Sequence, residues 1–211
     1  MTSLLLLAVL AQAPAAAPQL PRADVHFVAG WQNLHQPQEL DHYNEWLNAI
    51  LYGGAGAGWY WTDHIKTQVD IGAGTRATQY QVRQLVIDGI PTYASSRLNI
   101  RQQNVTIGQQ YQFFRNQWFH PHVGAGVDLA RETTTEEIQP FVTYDTLTRT
   151  PLTLPAARTE GPTDRFTARP FAEAGFKAYM THRAFFTGDA RVMFRNGIDE
   201  VLFRAGFGFD F

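Results

Sequence analysis

The chain has 211 residues, with 17 Lys and Arg against 19 Asp and Glu, and a formal net charge of −2. That balance offers no basic face for nucleic acid, and the lack of cysteine excludes disulfides, thiolate zinc sites and cysteine nucleophiles. With 45% hydrophobic and 13% aromatic residues, 17 Gly and 15 Phe, the composition suits one β-rich domain.

Residues 4–10 form a short apolar run, and Ala- and Pro-rich sequence follows up to Pro21. This reads as a signal peptide with a Pro/Ala-rich leader over residues 1–21, before a domain over 22–211. The first basic side chain is Arg22, so the usual positive start of such a segment is missing. An ordinary N-terminal helix is the alternative, but Pro14, Pro18 and Pro21 would break it.

Residues 23–31 alternate, with Val25, Phe27, Ala29 and Trp31 opposed to Asp24, His26, Val28 and Gly30. A period of two predicts a strand with one apolar face. Residues 32–48 read as a long loop. A second strand over 49–61 sets Leu51, Ala55, Ala57, Trp59 and Trp61 against Tyr52, Tyr60 and glycines. Thr62-Asp63-His64 reads as a tight turn. A third strand follows, with Ile65, Val69 and Ile71 opposed to Lys66, Asp70 and Arg76. Residues 81–96 read as a second long connection, with Asp88-Gly89 and Pro91 as turn signals.

A fourth strand is predicted over 98–114, then a tight turn at Arg115-Asn116-Gln117. The fifth sets Phe119, Val123, Val127 and Leu129 against His120, His122 and Asp128, and Pro121 predicts a bulge in it. Residues 131–164 read as the longest connection. The sixth strand, 165–180, sets Phe166, Ala172, Ala174 and Phe176 against Arg169, Glu173 and Lys177. After Thr181-His182 the seventh carries Asp189 and Arg191 opposite Phe186, Val192 and Phe194. Asn196-Gly197 is a hairpin signal. The eighth strand alternates Phe203, Phe207, Phe209 and Phe211 with Arg204 and Asp210.

Eight strands joined alternately by short and long connections predict an all-β fold, an eight-stranded antiparallel up-and-down barrel. A soluble barrel would turn the apolar face inward. The abundance of Phe and Trp on that face argues for the inverted arrangement, because an eight-stranded interior is only wide enough to be filled by side chains. Glycine on the polar face suits a crowded lumen, and Trp59, Trp61, Tyr111, Phe113, Trp118, Phe119 and Phe211 gather beside the short turns, as an interfacial girdle would.

The segments GGAGAGWYW (53–61), TQVDIGAGT (67–75), ARPFAEAGFKAYM (168–180) and the final FRAGFGFDF resemble the small OmpA-like outer-membrane β-barrel family. The resemblance implies a bacterial outer-membrane location, with outer-membrane lipids and the barrel assembly machinery as partners. It also implies an assembly signal at Phe203, Phe207, Phe209 and Phe211. No appended peptidoglycan-binding domain is expected.

The predicted lumen holds Lys66, Arg76, Arg169, Lys177, Arg191 and Arg204 against Asp70, Asp128, Glu173, Asp189 and Asp210. Such charges must pair, since an isolated charge out of water is expensive. Glu173 stands between Arg169 and Lys177 along one wall. A packed salt-bridge network gives a structural or surface-interaction protein without enzymatic activity, whose external loops meet a partner outside the cell. The alternative is a narrow gated pore for small solutes. A lipid A-modifying barrel enzyme is disfavoured: beyond the leader the only serines are Ser95 and Ser96, and neither belongs to a His-x-Ser pair. His120 and His122 share a face, but two histidines do not make a metal site. No cofactor, metal or catalytic residue is expected.

Overall fold

A computed structural model describes residues 22–35, 46–87, 90–113, 118–139, 142–144, 151–153 and 158–211. The proposed leader and the turn at 115–117 lie outside them. Among these residues eleven strands are formed: β1 (Ala23–His35), β2 (Trp46–Tyr60), β3 (Ile65–Gly74), β4 (Ala77–Ile87), β5 (Ile90–Gln112), β6 (Phe119–Ile138), β7 (Val142–Tyr144), β8 (Pro151–Thr153), β9 (Arg158–Tyr179), β10 (Ala184–Phe194) and β11 (Ile198–Asp210). Strands β1, β2, β3, β5, β6, β9, β10 and β11 make the wall, each antiparallel to its neighbours. Pairing of β3 with β5, from Ile65↔Tyr111 to Ala73↔Gln103, closes the sheet into a barrel. Closure leaves the wall no free edge.

The apolar parity faces outward. Phe27 is 70% exposed, Ile71 58% and Phe207 59%, while Asp70, Asp128, Arg191 and Arg204 on the opposite parity are buried. Water would reject such a belt of large apolar patches, and hydrocarbon accepts it. Trp59, Trp61, Trp118 and Phe211 stand exposed at the end of the short turns, and Trp31, Tyr80 and Phe166 at the other end.

The bounds of three expected loops need correction. Residues 81–96 are not a loop: β4 and the start of β5 pair from Ala77↔Ile100 to Ile87↔Ile90. The turn signal Asp88-Gly89 falls outside the described residues, between the two strands. Likewise β6 continues to Ile138 and β9 begins at Arg158, so the sheet occupies much of the 131–164 connection, and β7 and β8 form a small hairpin within it. Beyond the bilayer both faces of a hairpin are wet, so hydrophobicity no longer alternates and the period of two disappears. On β6, residues 132–137 are all half-buried. β1 and β2 also run farther out than predicted, to His35 and Trp46.

Pro121 makes no bulge. It stays in register opposite Phe176, and its carbonyl accepts from the Phe113 N–H. Its missing N–H faces the last residue of that ladder, where little pairing is left to lose. At the opposite end, the Asn196-Gly197 hairpin forms with positive φ at both residues, 73° and 146°.

Candidate functional site

Among the described residues, buried charge is concentrated in the lumen. Its groups form three tiers between the short-turn end and the mouth. Alternation places every second side chain there, and the interstrand register stacks those side chains across the barrel.

In the tier nearest the short turns, Lys177 Nζ donates to Asp210 Oδ1 at 2.5 Å, Tyr60 Oη at 2.8 Å and Asp24 Oδ2 at 3.1 Å. Lys66 Nζ donates to the same Asp24 oxygen at 3.1 Å, and the Tyr179 hydroxyl donates to Asp210. Lys177 Nζ also lies 3.7 Å from the centre of the Phe185 ring, a cation–π contact that offsets part of its desolvation.

The middle tier is built on two arginines. Arg191 donates twice to Glu173 Oε2, at 3.0 and 2.7 Å, and once each to Asp70 Oδ2 at 2.7 Å and Thr106 Oγ1 at 2.8 Å. Arg204 forks onto Asp189, at 2.8 and 3.1 Å, and reaches Asp70 Oδ2 at 3.2 Å. Gln110 donates to the other Glu173 oxygen at 2.7 Å, and His26 Nε2 lies 2.9 Å from Asp70 Oδ1. The planar guanidinium suits such bidentate bonding, whereas an ammonium cannot fork.

In the outer tier Arg169 bonds three acids, one of which, Asp199, also accepts from Arg195 at 3.1 and 2.7 Å. Arg169 donates to Asp128 Oδ2 at 3.1 and 2.5 Å, Asp199 Oδ2 at 2.7 Å and Glu200 Oε2 at 2.8 Å. Gln32 and Gln102 donate to the two Glu200 oxygens at 2.7 and 2.8 Å. Above it, Leu34, Leu47, Ile50, Ala77 and Ile100 form an apolar cluster across the mouth. An irregularity between Gln32 and Leu34 in the β1–β2 pairing accompanies the inward placement of Leu34, Leu47 and Ile50.

Glycines give these side chains room. A methyl group built on Gly72 would lie 1.9 Å from the Tyr52 hydroxyl, and one on Gly126 would meet the Phe171 ring at 2.8 Å. Between the two inner tiers is a cavity of about 10 Å³ lined by His26, Lys66, Gln110, His122, Lys177 and Asp189. That is room for about one water.

Of the charged residues expected inside, Lys66, Asp70, Asp128, Arg169, Glu173, Lys177, Asp189, Arg191, Arg204 and Asp210 all lie in the tiers. Arg76 does not: it is exposed on the outer wall. Strand β3 ends at Gly74 and β4 starts at Ala77. Gly74 and Ala77 are both buried though three residues apart, so alternation slips between them and Arg76 is turned out. The partners of Glu173 also differ from expectation. Arg191 stands directly opposite it on β10, while Arg169 and Lys177 serve the other two tiers. Phe203, Phe207, Phe209 and Phe211 line the outer face of β11 and its end.

Sequence reasoning left four buried groups out of the network. Asp24 and His26 carry the lumen parity on β1, so their signal was present. Glu200 shares the parity of Leu202. Asp199 has the wrong parity and gave no signal. The pairing steps from Met193↔Glu200 to Phe194↔Ile198, which leaves Asp199 as the extra residue of a bulge and rotates it inward. The His120 ring lies 5.1 Å from that of Tyr179, tilted 58° to it, and His122 is buried; among the described residues no group of three His, Cys, Asp or Glu could hold a metal. Ser95 and Ser96 stand on β5 rather than in a loop.

The family described as the outer membrane protein beta-barrel domain matches residues 2–211. Similar solved structures are small barrels. Neisserial surface protein A aligns at a TM-score of 0.54 and 12% identity, covering 90% of this chain and 97% of that one. The outer membrane protein OprG of Pseudomonas aeruginosa aligns at 0.52 and 14%, with 90% and 97% covered. The N-terminal barrel domain of OprF, from the same organism, aligns at 0.51 and 14%, with 91% and 100% covered. No curated protein sequence matches the chain.

Proposed function

We propose, because this chain belongs to the outer-membrane β-barrel domain family and so resides in the bacterial outer membrane, that it works as a closed, non-enzymatic barrel. It anchors its external hairpins at the cell surface and conducts no solutes at rest. The observation that carries this reading is bonding across the full width of the lumen. Around the wall, β10 stands opposite β3 and β11 opposite β5. Arg191 on β10 reaches Asp70 on β3, and Gln102 on β5 reaches Glu200 on β11. Side chains that meet across the diameter divide the bore at those levels, which supports a closed lumen and is in keeping with the small bore of eight strands.

The hairpins β4–β5 and β6–β9 rise beyond the apolar belt as paired strands. Paired backbone holds a recognition surface more rigidly than a loop does, and so costs less ordering entropy on binding. These hairpins are the surface offered to a partner outside the cell. The test is planar-bilayer recording of refolded protein. Silence at neutral pH is expected; steady unitary currents from wild-type protein would replace this reading with the narrow pore.

A further inference from the structure

The outer wall carries a cleft of about 520 Å³ where β2, β3, β4 and β5 meet, lined by Leu51, Gly53, Ala73, Thr75, Arg76 and Arg101 among others. The ladder between β2 and β3 ends there. Thr75 N–H donates to the Leu51 carbonyl at 2.7 Å, and Leu51 N–H to Thr75 Oγ1 at 3.2 Å. Farther out, among the described residues, β4 pairs only with β5 and β2 only with β1, so hydrogen bonding across the seam stops there while Ile50 and Ala77 still pack on its inner side. Nothing lies within 4 Å of a methyl group built on Gly53, which leaves the floor of the cleft open.

Two cations stand over it. Arg76 is exposed, and Arg101 is exposed between buried Ile100 and Gln102. Neither makes an ion pair among the described residues. Both sit at the upper limit of the apolar belt, just above Ile71 and Val105 on the same two walls. A bilayer's phosphates lie at that depth, and apolar chains lie below. Guanidinium groups prefer phosphate because two parallel N–H groups match two of its oxygens.

We infer that Arg76 and Arg101 bind the phosphate of an outer-leaflet lipid, whose acyl chain occupies the cleft over Gly53 and Ala73. The site rests on the membrane-embedded barrel and not on whether the lumen conducts, so it stands or fails separately from the closed-barrel reading.

The probe is fluorescent lipid A in phosphatidylcholine nanodiscs holding the refolded full chain, with energy transfer from barrel tryptophans as the signal. R76Q/R101Q should weaken apparent affinity by roughly tenfold or more, since each lost charge-assisted contact is a large part of one decade. G53L fills the floor without changing charge and should weaken it severalfold as well. Lipid A lacking its phosphates should bind wild type no better than the double variant does. Excess inorganic phosphate should leave the lipid in place. Each variant is first checked for a heat-dependent gel shift; should the double variant fail to fold, the dephosphorylated lipid on wild-type protein decides the question. Equal binding of lipid A with and without phosphates overturns the site. So does displacement by free phosphate, which would mark an anion site without a lipid. An effect of R76Q/R101Q with none of G53L would reduce it to diffuse surface attraction and overturn the cleft.

Discussion

Replacing Arg191 by methionine should destabilise the barrel more than replacing Glu173 by glutamine, although the two residues bond each other. The middle tier sets Asp70, Glu173 and Asp189 against Arg191 and Arg204, with His26 against Asp70. Removing Arg191 leaves three carboxylates facing Arg204 and His26. It also strands Glu173, whose Oε2 has its two closest bonds, 3.0 and 2.7 Å, from Arg191. To rebalance, a carboxylate would have to hold a proton near neutral pH, well above its ordinary range near 4. Removing the Glu173 charge leaves Asp70 and Asp189 against two arginines and His26, so no carboxylate is stranded. Arg191 also keeps Asp70 at 2.7 Å and Thr106 at 2.8 Å. Stranding one partner of a buried pair costs about 3–5 kcal/mol, and R191M should fall at the upper end. E173Q keeps the volume and a polar partner for Gln110, so it should cost about 1–3 kcal/mol, the range for a buried hydrogen-bonding group left partly unmatched. E136A, on the half-buried outer part of β6, is the reference, at about 0–1 kcal/mol. The assay is equilibrium urea unfolding in phosphatidylcholine vesicles, followed by tryptophan emission and checked for reversibility. Equal midpoints for R191M and E173Q, or the opposite order, would refute the charge balance described for this tier. Equal midpoints for E173Q and E136A would refute burial of Glu173 itself.

The folded protein should resist SDS until boiled and migrate at different apparent sizes before and after heating, because pairing of β3 with β5 leaves no edge from which detergent can open the sheet; identical migration would contradict closure. Gly206→Ala should destabilise by about 1–3 kcal/mol through overpacking, since its methyl group would sit 1.9 Å from the Phe27 carbonyl oxygen. Gly53→Ala, with open space around it, should leave the urea midpoint nearly unchanged, and similar losses at both sites would refute the inside–outside assignment of these walls. At the β10–β11 turn, Asn196 holds a φ of 73°; Asn196→Val should destabilise the barrel by about 1–2 kcal/mol and Asn196→Gly should not, because the left-handed region penalises a Cβ.

The sequence by itself determined which side of each strand faces lipid. Phe27, Ile71, Ile107, Phe203 and Phe207 share the apolar parity and face out. Asp70, Glu173, Arg191 and Arg204 share the other and face in. A membrane barrel has two different solvents on its two faces, so a period of two suffices to read it. The turn at Asn196-Gly197 was legible for a similar local reason, because few residue pairs accept two positive φ angles in succession. The parts that escaped depend on register between strands, which no single strand carries. Arg191 meets Glu173 because β9 and β10 align those two positions. Asp70 gathers bonds from Arg191, Arg204, Thr106 and His26, on four other strands, only once the sheet has closed. Asp199 is buried by a bulge and Arg76 is turned out by a break between strands; each is a one-residue slip that reverses parity. Above the belt, the outer part of β6 is held by backbone pairing to β5 and β9, with residues 132–137 half-buried on both faces. There the chemistry that wrote the alternation is absent, and only the tertiary structure decided where the strands end.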